Sequence, residues 1–589
     1  MSIFNRDVKT LSMAELKILN TEIRSFIIEE VSKIGGHLGA SLGVVELTTA
    51  LHYVFDSPSD TIIWDIGHQT YAHKILTGRK EKFHTIRSYN GLSGFTNPEE
   101  SSHDHFFAGH SSTSISLGVG VSSAKLLQHN DTYTLAVIGD GAISAGMAFE
   151  AMNNVTTAGK KFITILNDND MSISPPEGAI SKYLPKLFMS HGYQEIKSIS
   201  KKFLSKFPNK FFEFCSHTHK SIKGIVSGGN FFEELGYDYI GPINGHDTEA
   251  LVRILEIVKE NATKPVLVHI ITKKGNGYKP AENAKDKFHG VKPFNISTGS
   301  QTKSLSVSFS QFIAQEITRL AKDDNTITAV TPAMKQGSAL DCFANMYPSR
   351  FFDVGIAEQH AVTFSAGQAK QGLKTFCFLY STFMQRAYDQ IIHDVALQNL
   401  PVCFIIDRSG LTGEDGPTHH GIFDVAFLRI IPNVEICNVC DESSAIVALK
   451  YAQTCKSPIF IRITKGDITN INITYVPYKL SIIQNGNTGL LITTGRFIHK
   501  VIESDTYKNW MIIDPFFIKP LDENIFEYIQ QYDKIDILDE NSIGGLSSII
   551  LEGCHSRNIS TTKIKIQTIP DKFIPHGSNK DLFTKECGF

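Results

Sequence analysis

Two polar turns, each at the end of an apolar run, carry residue types that could hold a divalent cation against phosphate. In TLAVIGDGAISAGMAFEAMNNV a buried-type strand enters Gly139-Asp140-Gly141 and then a helix-forming stretch. Glycines on both sides let the backbone approach an anion closely, and a helix start offers N–H groups without partners inside the helix. An aspartate among such amides is useful when a divalent cation bridges it to a diphosphate. Alone, this triplet marks no more than a strand-to-helix turn. The next apolar run, FITIL, leads into Asn167-Asp168-Asn169-Asp170-Met171-Ser172, with Asn169 placed 29 residues after Asp140. That spacing accommodates one helix and one strand. The Asn169 amide oxygen and the Met171 backbone carbonyl are hard ligands that suit magnesium. The competing reading is a polar turn with an aspartate-rich edge.

Histidines recur beside glycine in the same half: His37 in GGHLGASLG, His68 in WDIGHQTYAHKILTGR and His110 in FFAGHSSTSISLG. One histidine in such a loop is usually structural, whereas three in one setting could line an anionic site or move a proton. Gly109-His110-Ser111 opens a Ser- and Gly-rich helix, a setting for phosphate contact. Further on, Glu358 in FFDVGIAEQHAVTFSAG stands at a turn into a helix of small residues. Burial there would raise its pKa, and the plainer alternative is a helix-start glutamate stabilised by the dipole. Tyr380 and Arg386 in LYSTFMQRAYDQ, Arg408, Asp415 and His419 in IIDRSGLTGEDGPTHHG, and Arg462 and Lys465 in IRITKGD all fall at predicted strand ends or adjacent loops. They can converge on one rim suited to a phosphate, although each basic residue taken singly reads as an ion-pair partner.

These residues need strands to carry them. β-branched runs at Thr61–Trp64, Tyr133–Ile138, Phe162–Leu166, Val266–Ile271, Thr375–Tyr380, Pro401–Ile406, Pro458–Ile463, Gly489–Thr493, Met511–Asp514 and Lys534–Leu538 alternate with helical-period stretches. Apolar runs of that kind predict α/β architecture, with mostly parallel sheets flanked by helices. Polar breaks at Asn295–Ser304 and Asp467–Asn472 divide the 589 residues into three expected domains, 1–300, 301–470 and 471–589. A formal net charge of −3 argues against a broad nucleic-acid or membrane surface. The nine scattered cysteines fit a reducing compartment, and Cys437 and Cys440 read as buried thiols near a strand end. The opening MSIFNRDVKTLSMAELK lacks a signal-peptide pattern, and no run reaches the roughly 20 apolar residues of a membrane span, so a cytoplasmic protein is expected. Residues 181–227 hold nine lysines and two glutamates; we read them as an amphipathic excursion rather than a nucleic-acid surface.

Taken together the motifs resemble the transketolase-like thiamine-diphosphate enzymes, and among them the 1-deoxy-D-xylulose-5-phosphate synthase family. GGHLG, GHQTYAHKILTGR, GHSSTSIS, GDGAISAGMAFEAMN, NDNDMSIS, TKKGNGYKPAE, IAEQHAVTF, YSTFMQRAYDQ and DGPTHHGIFD appear in the family's order across nearly the whole chain. The resemblance implies a transketolase-like fold, with a diphosphate-binding, a pyrimidine-binding and a C-terminal domain. It implies thiamine diphosphate and Mg2+ as cofactors and condensation of pyruvate with D-glyceraldehyde 3-phosphate, releasing carbon dioxide. The product, 1-deoxy-D-xylulose 5-phosphate, feeds isoprenoid precursors. Asp140, Asn169 and the Met171 carbonyl match the metal ligands. His68, Gly109, His110, Ser111, Gly141, Ala142, Asn169, Tyr278 and Glu358 match the cofactor contacts. Glu358 in this family bonds the aminopyrimidine ring and so promotes removal of the thiazolium proton. His37, His289 and His419 match proton-transfer or substrate histidines, and Tyr380, Arg386, Arg408 and Asp415 match substrate-binding positions. Where the family has arginine in a PRG-like triplet, this chain has Thr464-Lys465-Gly466, which keeps charge but loses the planar fork. A homodimer is the family's usual form. A sugar transketolase or a 2-oxoacid dehydrogenase subunit is the nearest enzymatic alternative, and a silent thiamine-binding scaffold the non-enzymatic one.

Overall fold

The computed structural model describes residues 3–4, 6–169, 230–301 and 306–589, so Met171 and the basic stretch 181–227 lie outside the described residues. The chain divides into two units, Met1–Ile86 with Leu92–Thr302, and Arg87–Gly91 with Lys303–Phe589.

The first unit is built on strands β1 (Thr61–Trp64), β2 (Thr134–Gly139), β3 (Phe162–Asp168), β4 (Asp238–Asn244) and β5 (Val266–Ile271). They form one sheet in the order β1-β2-β3-β5-β4, parallel throughout. β3 is buried along its whole length, as a strand covered on both faces must be. Helix Met13–Ile34 starts in a capping box, Ser12 with Glu15, and buries Leu16, Leu19, Ile23, Ile27 and Val31, which recur every three to four residues. It ends at Gly35, whose φ of +80° suits glycine.

The second unit holds two sheets. Strands β6 (Ile327–Thr331), β7 (Phe351–Asp353), β8 (Lys374–Tyr380), β9 (Cys403–Ser409), β10 (Glu435–Asn438) and β11 (Ile459–Thr464) run parallel. Strands β12 (Ser481–Gln484), β13 (Leu490–Thr493), β14 (Met511–Asp514), β16 (Ile535–Asp539) and β17 (Ile564–Thr568) make the other sheet, antiparallel only at β12. Between them β15 (Phe517–Lys519) leaves the second segment of chain and adds antiparallel to β10, giving the order β15-β10-β11-β9-β8-β6-β7. Phe404 and Phe460 from the larger sheet share one apolar core with Ile492, Ile513 and Ile537 from the smaller. All ten strands read from the sequence are present, with small shifts at their ends. Cys437 and Cys440 are buried beside the end of β10, and the eight described cysteines are all free thiols.

Candidate functional site

In a parallel sheet the carboxyl ends of the strands share one edge, and residues just beyond them can meet. In the first unit Gly139 pairs with Asn167 and Asp168 with Ile271, so Asp140, Asn169 and Thr272-Lys273-Lys274 leave the sheet side by side. Asp140 is buried at the first turn of the short helix Asp140–Ile143. Burial pushes its pKa up to about 7, the nearby Asp168 adds to the rise, and the Gly141 N–H and Lys274 oppose it. The Asn169 Oδ1 is shielded from solvent and accepts no hydrogen bond from any described residue. A buried carboxylate beside an unused amide oxygen fits a hard divalent cation, which would answer both deficits at once. Among the described residues no group of three His, Cys, Asp or Glu side chains could hold a metal.

Three of the sequence-predicted histidines meet beside this edge. Ring centroids lie 6.0 Å apart for His37 and His68, 6.1 Å for His37 and His289, and 5.3 Å for His68 and His289. The approach of two distant segments makes this possible. Gly39 donates its N–H to the Phe288 carbonyl, and a Cβ at Gly39 would lie 1.8 Å from the Lys287 oxygen, so only glycine lets the His289 segment lie against the His37 segment. His68 Nδ1 is 3.0 Å from the Ile66 carbonyl, which requires the proton on Nδ1. Burial, then Lys274, holds His68 down to about 3, and the same two causes hold His289 well below its ordinary value. Both rings are therefore neutral near pH 7. Lys274 Nζ lies 3.1 Å from His289 Nδ1. Burial lowers this ammonium to about 8, partly offset by Asp140.

Gly109 and Ser111 are buried and His110 is half-buried, on a segment laid against the His68 loop by the Gly67 N–H to Ala108 carbonyl bond. The helix after them begins at Ser114, not at His110. Ser112 Oγ donates to the Ala142 carbonyl, tying this segment to the Gly141-Ala142 turn. Tyr278 is buried, but its hydroxyl donates to the Ile296 carbonyl and its ring packs on Phe288 and Phe294. The structure therefore does not bring the Tyr278 hydroxyl to the histidines.

In the second unit Glu358 is the first residue of helix Glu358–Lys370 and is 5% exposed. Burial raises its pKa, and the Arg386 guanidinium and its own backbone N–H oppose the rise in part. Tyr380, at the end of β8, is buried with the Arg408 guanidinium 4.3 Å above its ring. Tyr380 stacks on Phe383, and Phe383 meets the His419 ring at 5.5 Å. Arg408 donates to Asp407 at 2.5 Å and to Ser310 at 3.1 Å. Asp415 receives Arg87 at 2.7 Å and Lys465 at 3.3 Å. Lys465 also donates to the Thr412 carbonyl and faces Glu414 at 3.2 Å. Tyr380, Arg408, Asp415, His419 and Lys465 thus occupy neighbouring strand ends and one loop, Leu411–His420, of a single sheet edge.

Arg462 departs from the expected rim. It is 4% exposed, bonds both oxygens of Asp424 and reaches the Asn438 and Asn541 side-chain oxygens, so its fork is fully engaged inside the unit. Sequence reasoning missed Lys274 and Arg87. Lys274 follows directly on the β5 run, a position where strand-end chemistry is expected; Arg87 sits in an unremarkable RSYNG loop that carries no signal.

Residues 3–272 match the family model described as 1-deoxy-D-xylulose-5-phosphate synthase, and residues 306–470 match the transketolase pyrimidine-binding domain. A 1-deoxy-D-xylulose-5-phosphate synthase of Caldanaerobacter subterraneus subsp. tengcongensis is 44% identical over 593 aligned residues, covering 98% of this chain and 95% of that protein. A second, from Natranaerobius thermophilus, is 44% identical over 598 residues, covering 99% and 95%. Transketolase from Campylobacter jejuni aligns over 98% of both chains with a TM-score of 0.42 at 17% identity, too distant to carry the assignment.

Proposed function

Because the chain belongs to the 1-deoxy-D-xylulose-5-phosphate synthase family, and is an enzyme that forms 1-deoxy-D-xylulose 5-phosphate with thiamine diphosphate, we propose how its own residues divide that work. Pyruvate and D-glyceraldehyde 3-phosphate are the substrates the family implies. Thiamine diphosphate, when bound, supplies the carbon nucleophile and the electron sink that decarboxylation and condensation require. Asp140 and Asn169 would hold Mg2+, with the Met171 carbonyl as a third protein ligand. Gly109, His110, Ser111, Gly141, Ala142 and His68 would receive the diphosphate, and Tyr278 would border the cofactor through its ring. Glu358 would exchange a proton with the aminopyrimidine; its raised pKa favours keeping that proton until a base takes it. His37, His289 and His419 would move or hold protons near the reacting carbonyls. Tyr380, Arg386, Arg408, Asp415 and Lys465 would bind substrate, Lys465 meeting the phosphate.

The observation that carries this reading is the pairing of buried Asp140 with the unsatisfied Asn169 amide oxygen on adjacent strand ends. Apolar residues exposed on helix Gly146–Asn153, Met147 and Phe149, with Phe231 stacked on Phe149 at 6.1 Å, support a homodimer that covers them. Among the described residues no helix is long and apolar enough to cross a membrane, and we read the protein as cytoplasmic. We keep the three-domain reading, 1–300, 301–470 and 471–589; the presence of three sheets supports it, with β15 crossing from the last range into the sheet of the second. Mass spectrometry of products from labelled pyruvate and glyceraldehyde phosphate tests the assignment. Labelled 1-deoxy-D-xylulose 5-phosphate is expected; transfer from a ketose phosphate instead would place the chain with the sugar transketolases.

A further inference from the structure

Asp65 follows β1 and is 2% exposed. Its Oδ1 accepts the Ser112 N–H at 2.6 Å and its Oδ2 accepts the Ser114 N–H at 3.0 Å. Two N–H groups at the start of helix Ser114–Leu127 are therefore met by a resident carboxylate. The chain on both sides of these bonds is in a conformation that side chains resist: Ile66 has φ +53° and Ser112 has φ +71°. Each of these residues bonds to or adjoins a proposed cofactor contact. Ile66 presents the carbonyl that sets the His68 ring, and Gly67 binds the Ala108 carbonyl. Ser112 adjoins Ser111 and holds the Ala142 carbonyl. One buried carboxylate thus joins the His68 loop, the Gly109-His110-Ser111 segment and, through Ser112, the Gly141-Ala142 turn.

We propose that Asp65 is a positioning residue for the cofactor site: by accepting the Ser112 and Ser114 N–H groups it holds Ser112 in its left-handed turn, and that turn presents Gly109-His110-Ser111. The proposal rests on the reading of those three residues as diphosphate contacts. Asparagine keeps the size of Asp65 but turns one of its two acceptor atoms into a donor facing an N–H. Alanine and glycine at position 112 both remove the hydroxyl, yet only alanine resists a positive φ. The pair isolates the turn from the side chain's own bonds.

Two readouts are needed, both on cofactor-free protein. Amide hydrogen exchange over residues 109–117 reads the hold of Asp65 directly. Calorimetric binding of thiamine diphosphate with Mg2+ reads its consequence. Asp65→Asn should speed exchange at Ser112 and Ser114 and weaken binding by about ten- to a hundredfold, as for loss of a charge-assisted contact. Ser112→Ala should weaken binding more than Ser112→Gly. In the Asp65→Asn/Ser112→Gly double variant the loss due to Asp65→Asn should shrink, because glycine keeps the turn without the carboxylate. If Asp65→Asn fails to fold, Asp65→Glu, which keeps the charge but displaces the carboxylate from the two N–H groups, takes its place with the same two readouts, and the alanine–glycine comparison tests the turn alone. Unchanged exchange, or equal losses in both Ser112 backgrounds, would overturn the role of Asp65 while leaving the diphosphate reading intact. Faster exchange with unchanged affinity, or a lower melting temperature alone, would overturn the proposal by removing the diphosphate reading beneath it.

Discussion

Replacing Glu358 with glutamine separates the carboxyl's chemical role from its structural cost. The side chain is 5% exposed at a helix start, and burial outweighs the help it receives from Arg386 and its own N–H, so its pKa stands above the ordinary 4.5. A carboxyl raised on folding binds its proton more tightly in the folded than in the unfolded chain. Its contribution to stability is therefore fully present below pH 4.5, declines as pH rises above that value, and is lost once pH passes the raised folded value. Glutamine has the same shape and no charge to bury. The cofactor-free Glu358→Gln protein should thus melt above the parent at pH 8, and the two curves should converge near pH 4.5. On the proposed reading a glutamine amide can still bond the aminopyrimidine in place of the protonated carboxyl, so affinity for thiamine diphosphate should fall less than about tenfold, within the worth of one neutral hydrogen bond. Turnover should fall by about 10²–10⁴, the usual worth of a positioned proton-transfer group. Thermal melts across pH, calorimetry and initial rates measure the three quantities. Activity within threefold of the parent, or a melting difference independent of pH, would refute the reasoning.

Asp140→Asn and Asn169→Ala should each weaken cofactor binding mainly by loosening Mg2+, and raising the metal concentration should restore part of it in a calorimetric titration. Lys465→Ala should raise the apparent constant for glyceraldehyde phosphate by about tenfold with little effect on pyruvate, while Lys465→Arg matches the parent; steady-state kinetics with each substrate varied decides. Asp424→Asn removes the direct ion-pair partner of the buried Arg462 guanidinium, leaving Asp539 and Glu540 as its more distant counter-charges, and should cost about 3 kcal/mol, read as a lowered urea midpoint of the second unit.

The strands that carry the chemistry were the most legible part of the chain. β2, β3, β5, β8, β9 and β11 lie inside their sheets, and burial on both faces demands the unbroken apolar runs by which they are recognised. The strands that went unread are mostly short or at edges: β7, β12, β15 and β17 are only partly buried or span three to five residues. β6, ITAVT, is wholly buried, but its threonines hid it. The same asymmetry governs the site. Asp140, Asn169 and Glu358 are each recognisable from neighbours within a few residues, because a turn and a helix start are local features. What those neighbours cannot show is which distant group a side chain meets.

Arg462 and Lys465 make the point within four residues of one strand end. Both are cations in IRITKGD, and both suit a phosphate. The pleat sends Arg462 inward to Asp424, 38 residues earlier in the chain, and to Asn541, 79 residues later. Lys465 lies beyond the last residue of β11, free of that alternation, and turns to the Leu411–His420 loop. A charge on the strand must find its counter-charge inside the fold or the burial cost is not met, whereas one just past the strand end can remain partly solvated and available to a ligand. By that argument the cations to test for substrate contact are Lys465 and Arg408, both at or beyond strand ends and still partly exposed, and Arg462 should affect stability alone.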